Sequence, residues 1–187
     1  MNAIFIWIPK VAGKSISKVL NFEATHKSLD KFKNKGIVTF GHCDILSLLR
    51  EGIINQEYYE KAFKFCFVRH PYSRIISLYN HLKEKKKINC NFSDFIQKEI
   101  DPIGSYNIKG LSQANQQVCW IPSDINFIGK YETLDYDFKY ICATLDINAT
   151  LPIANKSIKF KKNLSDLEKE IIYSRYKDDF KQLGYKL

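Results

Sequence analysis

Hydrophobic residues gather in three short runs, each of which is followed by proline, glycine or arginine. The runs are rich in β-branched and aromatic residues. Short apolar segments of this kind predict buried strands. The three predicted strands are Ala3–Ile8, Ile37–Phe40 and Phe63–Val68.

Elsewhere, hydrophobic positions recur every three or four residues, which is the spacing of one face of an α-helix. One such helix follows the first strand and carries Ile16, Val19 and Leu20, and another follows the third strand. Two more helices are predicted over Phe92–Ile100 and Tyr136–Leu145. The hydrophobic face of the helix after the third strand consists of Ile75, Leu78, Tyr79 and Leu82.

The last predicted helix has the clearest start. Ser165 and Glu168 form a capping-box pattern, in which each side chain accepts a hydrogen bond from the backbone of the other residue. The hydrophobic face that follows the cap consists of Leu167, Ile171, Ile172, Tyr176 and Phe180.

The alternation of strands and helices predicts an α/β fold, in which a central parallel sheet is flanked by helices. A chain of 187 residues suits one domain, so we expect a single domain over residues 1–187. In open parallel sheets, ligands bind at the carboxyl ends of the strands. A site is therefore expected in the segments after Ile8, Phe40 and Val68.

The charge balance narrows the class of partner. Lys and Arg outnumber Asp and Glu by 29 to 20, and the formal net charge of +9 favours anionic partners. No apolar run approaches the roughly 18 residues of a membrane span, and the N-terminal run is too short for a signal peptide. We therefore expect a soluble, cytoplasmic protein. The five scattered cysteines lack metal or redox spacing and are expected to be reduced thiols in or near the core.

The loop after the first strand is a candidate phosphate site. It leads into a helix, whose N-terminus offers unpaired N–H groups and a partial positive charge. The Walker pattern of ATP and GTP sites would need glycine in place of Ile8, and no apolar strand ends in an aspartate placed to organise Mg²⁺. A smaller anion, neutralised by the protein's own cations, fits better. The polar loop residues are Lys10, Gly13, Lys14 and Ser15.

A second candidate phosphate site follows the third strand, in the segment VRHPYSRIISLYN. Arg69 lies at the strand end, Pro71 occupies the first helical position, and Arg74 and Ser77 share one helix face. Arginine and serine in this arrangement would bind phosphate through charge-assisted hydrogen bonds. Arg74 either supports that site or packs within the fold. Two separate phosphate sites predict a nucleotide that is phosphorylated at two positions.

These segments resemble the nucleotide-binding motifs of sulfotransferases that use 3′-phosphoadenosine-5′-phosphosulfate (PAPS). IPKVAGKSIS resembles their 5′-phosphosulfate loop, and VRHPYSRIISLY resembles the 3′-phosphate segment R-x-P-x-x-R-x-x-S-x-Y. FIGKYETLDYDFKYICATL and YKDDFKQLGY resemble later stretches of the carbohydrate-type, family 2-like branch. The resemblance covers most of the chain and is weakest from Lys83 to Ser123. It implies a P-loop NTPase-like, three-layer α/β fold with a central parallel β-sheet.

The resemblance also implies a role for each matching residue. Lys10 would contact the sulfuryl group and the bridging oxygen, and Arg69 and Ser77 would bind the 3′-phosphate. Ser157 and Lys159 resemble a late segment that closes over the nucleotide, and a structural role for them stays open. The product would be 3′-phosphoadenosine-5′-phosphate (PAP). Donors to the 5′-phosphate would come from Gly13, Lys14, Ser15 and Ile16.

Transfer to a hydroxyl group also needs a base that accepts its proton. His42 is the candidate, because TFGHCD places it just after a predicted strand and resembles the segment with the catalytic histidine of some glycan sulfotransferases. The alternative is a hydrogen-bonded structural histidine, with Asp44 as the nearest substitute base. His26 and His81 are expected at the surface.

The predicted function is transfer of a sulfuryl group from PAPS to an acceptor hydroxyl by in-line displacement, with His42 as base, Lys10 at the leaving group and no metal. The carbohydrate-type features favour a glycan or glycolipid acceptor, and a small alcohol stays open. No feature of the sequence indicates an oligomeric state.

Two other functions remain open at this point. One is a nucleotide or sugar kinase that uses ATP and metal. The other is a non-catalytic basic module that binds nucleic acid or sulfated glycan. Nucleic acid is the less favoured partner, because the aromatic residues do not alternate with basic ones as in a stacking surface.

Overall fold

In a computed structural model of the chain, the described residues are 1–21, 33–34, 36–98, 111–151 and 163–187. They form a five-stranded sheet with helices. The strands are β1 (Ala3–Ile6), β2 (Lys33–Asn34), β3 (Ile37–Thr39), β4 (Phe63–Val68) and β5 (Phe127–Lys130). The α-helices are α1 (Gly13–Val19), α2 (Ile45–Arg50), α3 (Gln56–Lys61), α4 (Pro71–Glu84), α5 (Phe92–Gln97), α6 (Leu134–Leu145), α7 (Asp166–Arg175) and α8 (Lys177–Gln182). Short 3₁₀ helices cover Gln117–Trp120 and Tyr131–Thr133.

The strand order in the sheet is β2-β3-β1-β4-β5. β1, β3, β4 and β5 are parallel, and β2 pairs with β3 in the antiparallel direction. Phe5 of β1 is aligned with Thr39 of β3 on one side and with Phe65 of β4 on the other. The order of the strands thus reverses between β1 and β4. A reversal of this kind creates the crevice in which open α/β sheets bind ligands.

The three predicted strands are confirmed, and so is the parallel sheet, which β2 extends at one edge. β1 ends at Ile6, two residues before the predicted end. β5, α2 and α3 lie outside the elements predicted from sequence. β5 gives a weak signal because it is only four residues long and its residue Ile128 is exposed.

Two hydrophobic clusters hold the elements together. The first contains the central strands, where every residue of β1 is buried and the rings of Phe5 and Phe65 stack with centroids 5.2 Å apart. The second joins α4 to α5, α7 and α8 through residues such as Leu78, Phe92 and Ile172. This second cluster fixes α4, the helix that carries the predicted 3′-phosphate residues.

The C-terminal helix differs from its prediction. The capping box is confirmed, since the Ser165 N–H donates to Glu168 and the Glu168 N–H donates to the Ser165 hydroxyl. However, the predicted single helix is divided into α7 and α8 at Tyr176, which has a non-helical φ of −112°. The Tyr176 hydroxyl donates to the Ala114 carbonyl at 2.8 Å, so a tertiary contact holds the residue at the break.

All five cysteines are free. Cys43, Cys66 and Cys142 are buried as expected, whereas Cys119 is exposed, so the expectation of a near-core thiol is wrong at that position. None of the helices among the described residues has the length and apolar character that crossing a bilayer requires.

Candidate functional site

The segments that follow β1, β3 and β4 meet at the carboxyl edge of the sheet. An Arg69 guanidinium nitrogen, Nη1, donates to the Lys10 carbonyl at 3.4 Å and so joins the two predicted phosphate segments. On the other side, His42 Nδ1 lies 3.3 Å from the Trp7 carbonyl, and the two rings are 5.8 Å apart between centroids. The structure therefore brings Lys10, Arg69 and His42 to one site.

The backbone at this site is strained. Lys10, Ala12 and His42 have φ angles of 71°, 67° and 61°, in the left-handed region that side chains other than glycine rarely adopt. Across the described ranges, the other non-glycine residues with positive φ directly follow helices, where this conformation is ordinary. They are Asn21, Lys86 and Asp146. Strain of this kind is concentrated at functional sites in many proteins.

The start of α1 presents backbone donors towards the loop. The Ser15 and Ile16 N–H groups both donate to the Ala12 carbonyl, and Ile16 is fully buried. The N–H groups of Gly13 and Lys14 have no such bond within the described residues, and the first turn carries no acidic side chain. At the start of α1, the N–H groups of Gly13 and Lys14 are therefore the ones available to a further acceptor.

Gly13 also has a packing role that the sequence does not reveal. A Cβ atom at this position would lie 1.6 Å from Nε1 of Trp7, so the indole occupies the space that any other side chain would need. Trp7 is itself only 4% exposed. The glycine thus lets the indole pack directly against the start of α1.

Arg69 is held by three side chains that the sequence analysis did not select. Its Nε donates to the Ser73 hydroxyl at 2.8 Å, and its guanidinium lies over the Tyr131 ring, 4.0 Å from the centroid. Gln117 hydrogen-bonds to its backbone. Ser77 lies one helical turn after Ser73, on the same face of α4. Only Ser73 could have been found from spacing; Gln117 and Tyr131 are brought in by the tertiary fold.

Arg74 lies away from solvent, with no exposed surface. Its guanidinium donates to the carbonyls of Gln113 and Asn115 and lies 5.5 Å from the centroid of the Tyr176 ring. Its Nε has no hydrogen-bond partner in the described part of the chain. Of the two roles considered for Arg74, these contacts favour packing over phosphate binding.

The site carries an excess of positive charge, which Glu84 near Lys10 and Glu132 near Arg69 offset only in part. Burial, followed by repulsion from Lys14 and Arg69, lowers the pKa of Lys10 to about 8. Burial also lowers the pKa of Arg69. No carboxylate among the described residues forms an ion pair with any of these three cations. An anion bound here would relieve both the desolvation and the mutual repulsion.

His42 is neutral at pH 7, because burial, with smaller contributions from nearby cations such as Lys10, lowers its pKa to about 4. A carbonyl oxygen can only accept a hydrogen bond, so Nδ1 carries the proton that is donated to Trp7. Nε2 is then the ring nitrogen with the lone pair. Asp44, the substitute base, accepts from the Ser47 N–H and hydroxyl and serves as the N-cap of α2.

His81 is partly buried, whereas the sequence prediction places it at the surface. It is half-buried on α4, one turn after Ser77. Burial, followed by the charges of Lys10 and Lys14, lowers its pKa to about 4. Ser77 and His81 are four residues apart, so the sequence already places them on the same face of α4. His26, Ser157 and Lys159 lie outside the described residues.

In the ranges that the structure describes, no group of three or more His, Cys, Asp or Glu side chains is placed to hold a metal ion. Lys10, Lys14 and Arg69 form no ion pair with a carboxylate among the described residues, so the chemistry of the site suits an anionic ligand.

Comparison with known proteins shows the fold and the family of the chain. The fold is similar to the crystal structure of a sulfotransferase from Alicyclobacillus acidocaldarius, with a TM-score of 0.55 and 14% identity, over 100% of this chain and 97% of that chain. At this identity the similarity confirms the predicted α/β fold alone. A search of curated proteins finds no match. The model of the sulfotransferase family matches residues 2–186, and the chain therefore belongs to the sulfotransferase family.

Proposed function

We propose that the protein transfers a sulfuryl group from PAPS to a hydroxyl group of an acceptor. The observation that carries this proposal is the set of three cations, Lys10, Lys14 and Arg69, which have no carboxylate partner among the described residues. Lys10 and Arg69 are joined by a hydrogen bond yet belong to different strand ends. A ligand with negative charge at two positions matches that arrangement.

The proposed assignment divides the nucleotide between the two strand ends. The open N–H groups of Gly13 and Lys14 suit the 5′-phosphate, with Ser15 and Ile16 shaping the loop. Arg69, oriented by Ser73, suits the 3′-phosphate, with Ser77 one turn further along α4. Arginine is well suited to this role because its planar guanidinium group can donate two hydrogen bonds to one phosphate.

Lys10 is proposed to stabilise the charge that develops on the leaving oxygen. PAPS supplies the activated sulfuryl group. Lys10 is partly buried and forms no ion pair with a carboxylate in the described part of the chain, so its ammonium group would stabilise developing negative charge more strongly than a fully solvated one. Binding of the anion would also raise the pKa of Lys10 from about 8, and so would keep the ammonium charged at neutral pH.

His42 is proposed as the base that accepts the proton of the hydroxyl. Its Nδ1–H is donated to the Trp7 carbonyl, which leaves Nε2 as the acceptor nitrogen. A pKa of about 4 makes a weak base in the free protein. Negative charge bound beside Lys10 would raise this pKa towards the range in which proton transfer at neutral pH is effective.

The proposed acceptor is a glycan or glycolipid hydroxyl, for which the support is the carbohydrate-type resemblance and the basic surface around His81. The lysines that lower the pKa of His81 include Lys85 and Lys87, which are exposed at the end of α4. A screen of sugars with labelled PAPS would identify the acceptor, and transfer only to simple alcohols would contradict this assignment.

Calorimetric binding of PAP in EDTA, beside 5′-AMP and ATP with Mg²⁺, tests the donor assignment. We expect PAP to bind without metal and more tightly than either competitor. Arg69→Ala should weaken PAP binding by roughly ten- to a hundredfold, the effect of a lost hydrogen-bonded charge, and leave 5′-AMP unchanged. Arg50→Ala, which removes a partly exposed arginine on α2, is the matched control.

Preferential binding of ATP with Mg²⁺ would instead support a kinase. Weak binding of all nucleotides with a steep dependence on salt would support a basic module for polyanions. Either result would overturn the proposal.

A further inference from the structure

The Gln117 side chain forms hydrogen bonds with both the N–H and the carbonyl group of Arg69. Its Oε1 accepts from the Arg69 N–H at 2.8 Å, and its Nε2 donates to the Arg69 carbonyl at 2.9 Å. This pair of bonds is the same exchange that two residues make in an antiparallel ladder. Gln117 has no exposed surface, so water does not compete for these bonds.

Asp179 fixes the orientation of the Gln117 amide. Its Oδ2 accepts from Gln117 Nε2 at 3.2 Å, and its Oδ1 accepts from the Val118 N–H at 3.0 Å. Asp179 is also fully buried. Because Nε2 faces two acceptors and Oε1 faces a donor, a flipped amide would break all three bonds.

Arg69 needs such a partner because the sheet ends just before it. The last aligned pair between β4 and β5 is Val68 with Lys130. Beyond that pair, the Gln117 side chain takes the place of a strand neighbour. The Arg69 side chain is thereby aimed between the Ser73 hydroxyl and the Tyr131 ring.

We propose that Gln117, oriented by Asp179, is the positioning residue of Arg69 and sets the selectivity of the site for a 3′-phosphate. This inference rests on the proposed function, in which Arg69 binds that phosphate. Gln117 does not touch the ligand; it acts through the backbone of Arg69.

The test is calorimetric binding of PAP and 5′-AMP to the full chain with Gln117→Met. Methionine has nearly the volume of glutamine but makes none of its hydrogen bonds. Gln116→Met is the matched control, because Gln116 also ties the same 3₁₀ segment to α8, through Asp178, but does not contact Arg69.

We expect Gln117→Met to weaken PAP binding about tenfold and to leave 5′-AMP binding nearly unchanged, since a loosely held arginine loses part of its hydrogen-bonding geometry. Gln116→Met should change neither. In an Arg69→Ala background, Gln117→Met should have no further effect on PAP, because a residue that acts only through Arg69 cannot add to its loss.

If Gln117→Met does not fold, Asp179→Asn provides a second test of the inference. It leaves Gln117 and Arg69 in place but replaces one of the two carboxylate acceptors, which serve Gln117 Nε2 and the Val118 N–H, with a donor. The same selective loss for PAP is expected, at smaller size.

Several outcomes would overturn the inference. Equal losses of affinity for PAP and 5′-AMP would show a general effect on the fold. No loss of affinity for either would show that Arg69 does not depend on the hydrogen bonds of Gln117. If the wild type prefers PAP and depends on Arg69, but the Gln117 and Asp179 variants keep that preference, this inference fails alone. If the wild type does not prefer PAP to 5′-AMP, the proposed function fails and the inference fails with it.

Discussion

The two halves of the candidate site touch each other but are built differently. In the loop after β1, the geometry comes from the backbone: Lys10 and Ala12 are left-handed, and the Trp7 indole packs against Gly13. At the end of β4, the backbone is ordinary and side chains hold Arg69 from several directions. One half is fixed by strain and close packing, and the other by hydrogen bonds.

This difference in construction suggests that the two halves have different functions. Backbone that is fixed by packing cannot move far when a ligand binds, which suits groups that must be aligned with a reacting bond. A long side chain held by hydrogen bonds suits recognition of a phosphate remote from the reaction. Changes in the first half should therefore affect turnover and folding, and changes around Arg69 should affect nucleotide selectivity.

The largest expected effect is that of His42→Gln, which removes the proposed base that lies beside Trp7 of the first half. We expect kcat to fall about 10²- to 10⁴-fold, the usual contribution of a general base, while PAP affinity stays within a few-fold of wild type. His81→Gln is the matched control, since the pKa of His81 is lowered to a similar value, about 4. Transfer of labelled sulfate and calorimetry give the two quantities.

If both histidine variants lost kcat to a similar extent, the result would not support the assignment of His42 as the base. Wild-type turnover in His42→Gln would contradict the proposed role of His42 as the base and, with it, the proposed difference in function between the two halves.

A smaller effect is expected for Gly13→Ala, whose added methyl group would overlap the Trp7 indole. Urea unfolding should show a loss of about 1–3 kcal/mol in the free energy of unfolding, as for other overpacked sites. In a Trp7→Leu background the same substitution should cost clearly less, because the smaller side chain leaves room. An equal cost in both backgrounds would mean that the indole contact is not the cause.

The smallest expected effect is the pH dependence of PAP affinity. Lys10 has a pKa of about 8 in the free protein, and bound negative charge raises it, so binding takes up a proton above pH 8. Affinity should therefore fall as pH rises through about 8, by at most about tenfold per pH unit. Lys10→Arg, which keeps its charge, should remove this dependence. A flat wild-type profile from pH 7 to about 9.5 would show that Lys10 does not contact the anion.

The sequence predicts the centre of the fold well. β1, β3 and β4 are found because buried parallel strands are continuous apolar runs, and α4 is found because its apolar face repeats regularly. The short helices α2 and α3 carry weaker signals, which are the capping residues Asp44 and Asn55. β5 lies at the sheet edge and is partly exposed, so its composition does not distinguish it from a loop.

The candidate site is predicted in part for a related reason. Lys10, Gly13, Lys14 and Arg69 follow strands directly, so a local motif is enough to find them. Gln117 reaches the site from a segment far along the chain, and no local pattern marks it. Arg74 fits the motif equally well but points into the fold, since spacing fixes a helix face and not the neighbour that covers it.

The hydrogen bonds from Asp179 through Gln117 to Arg69 also bear on how the protein is made. Ribosomes synthesise a chain from its N-terminal end towards its C-terminal end, so Lys10 and Arg69 exist before Gln117 and Asp179. At about 5–20 residues per second, Arg69 precedes Asp179 by roughly 5 to 20 seconds. Nascent chains in that interval carry the cationic strand ends without their final alignment, and a premature stop before Asp179 would leave them so permanently. Discrimination between nucleotides would then be acquired only after Asp179 has been synthesised.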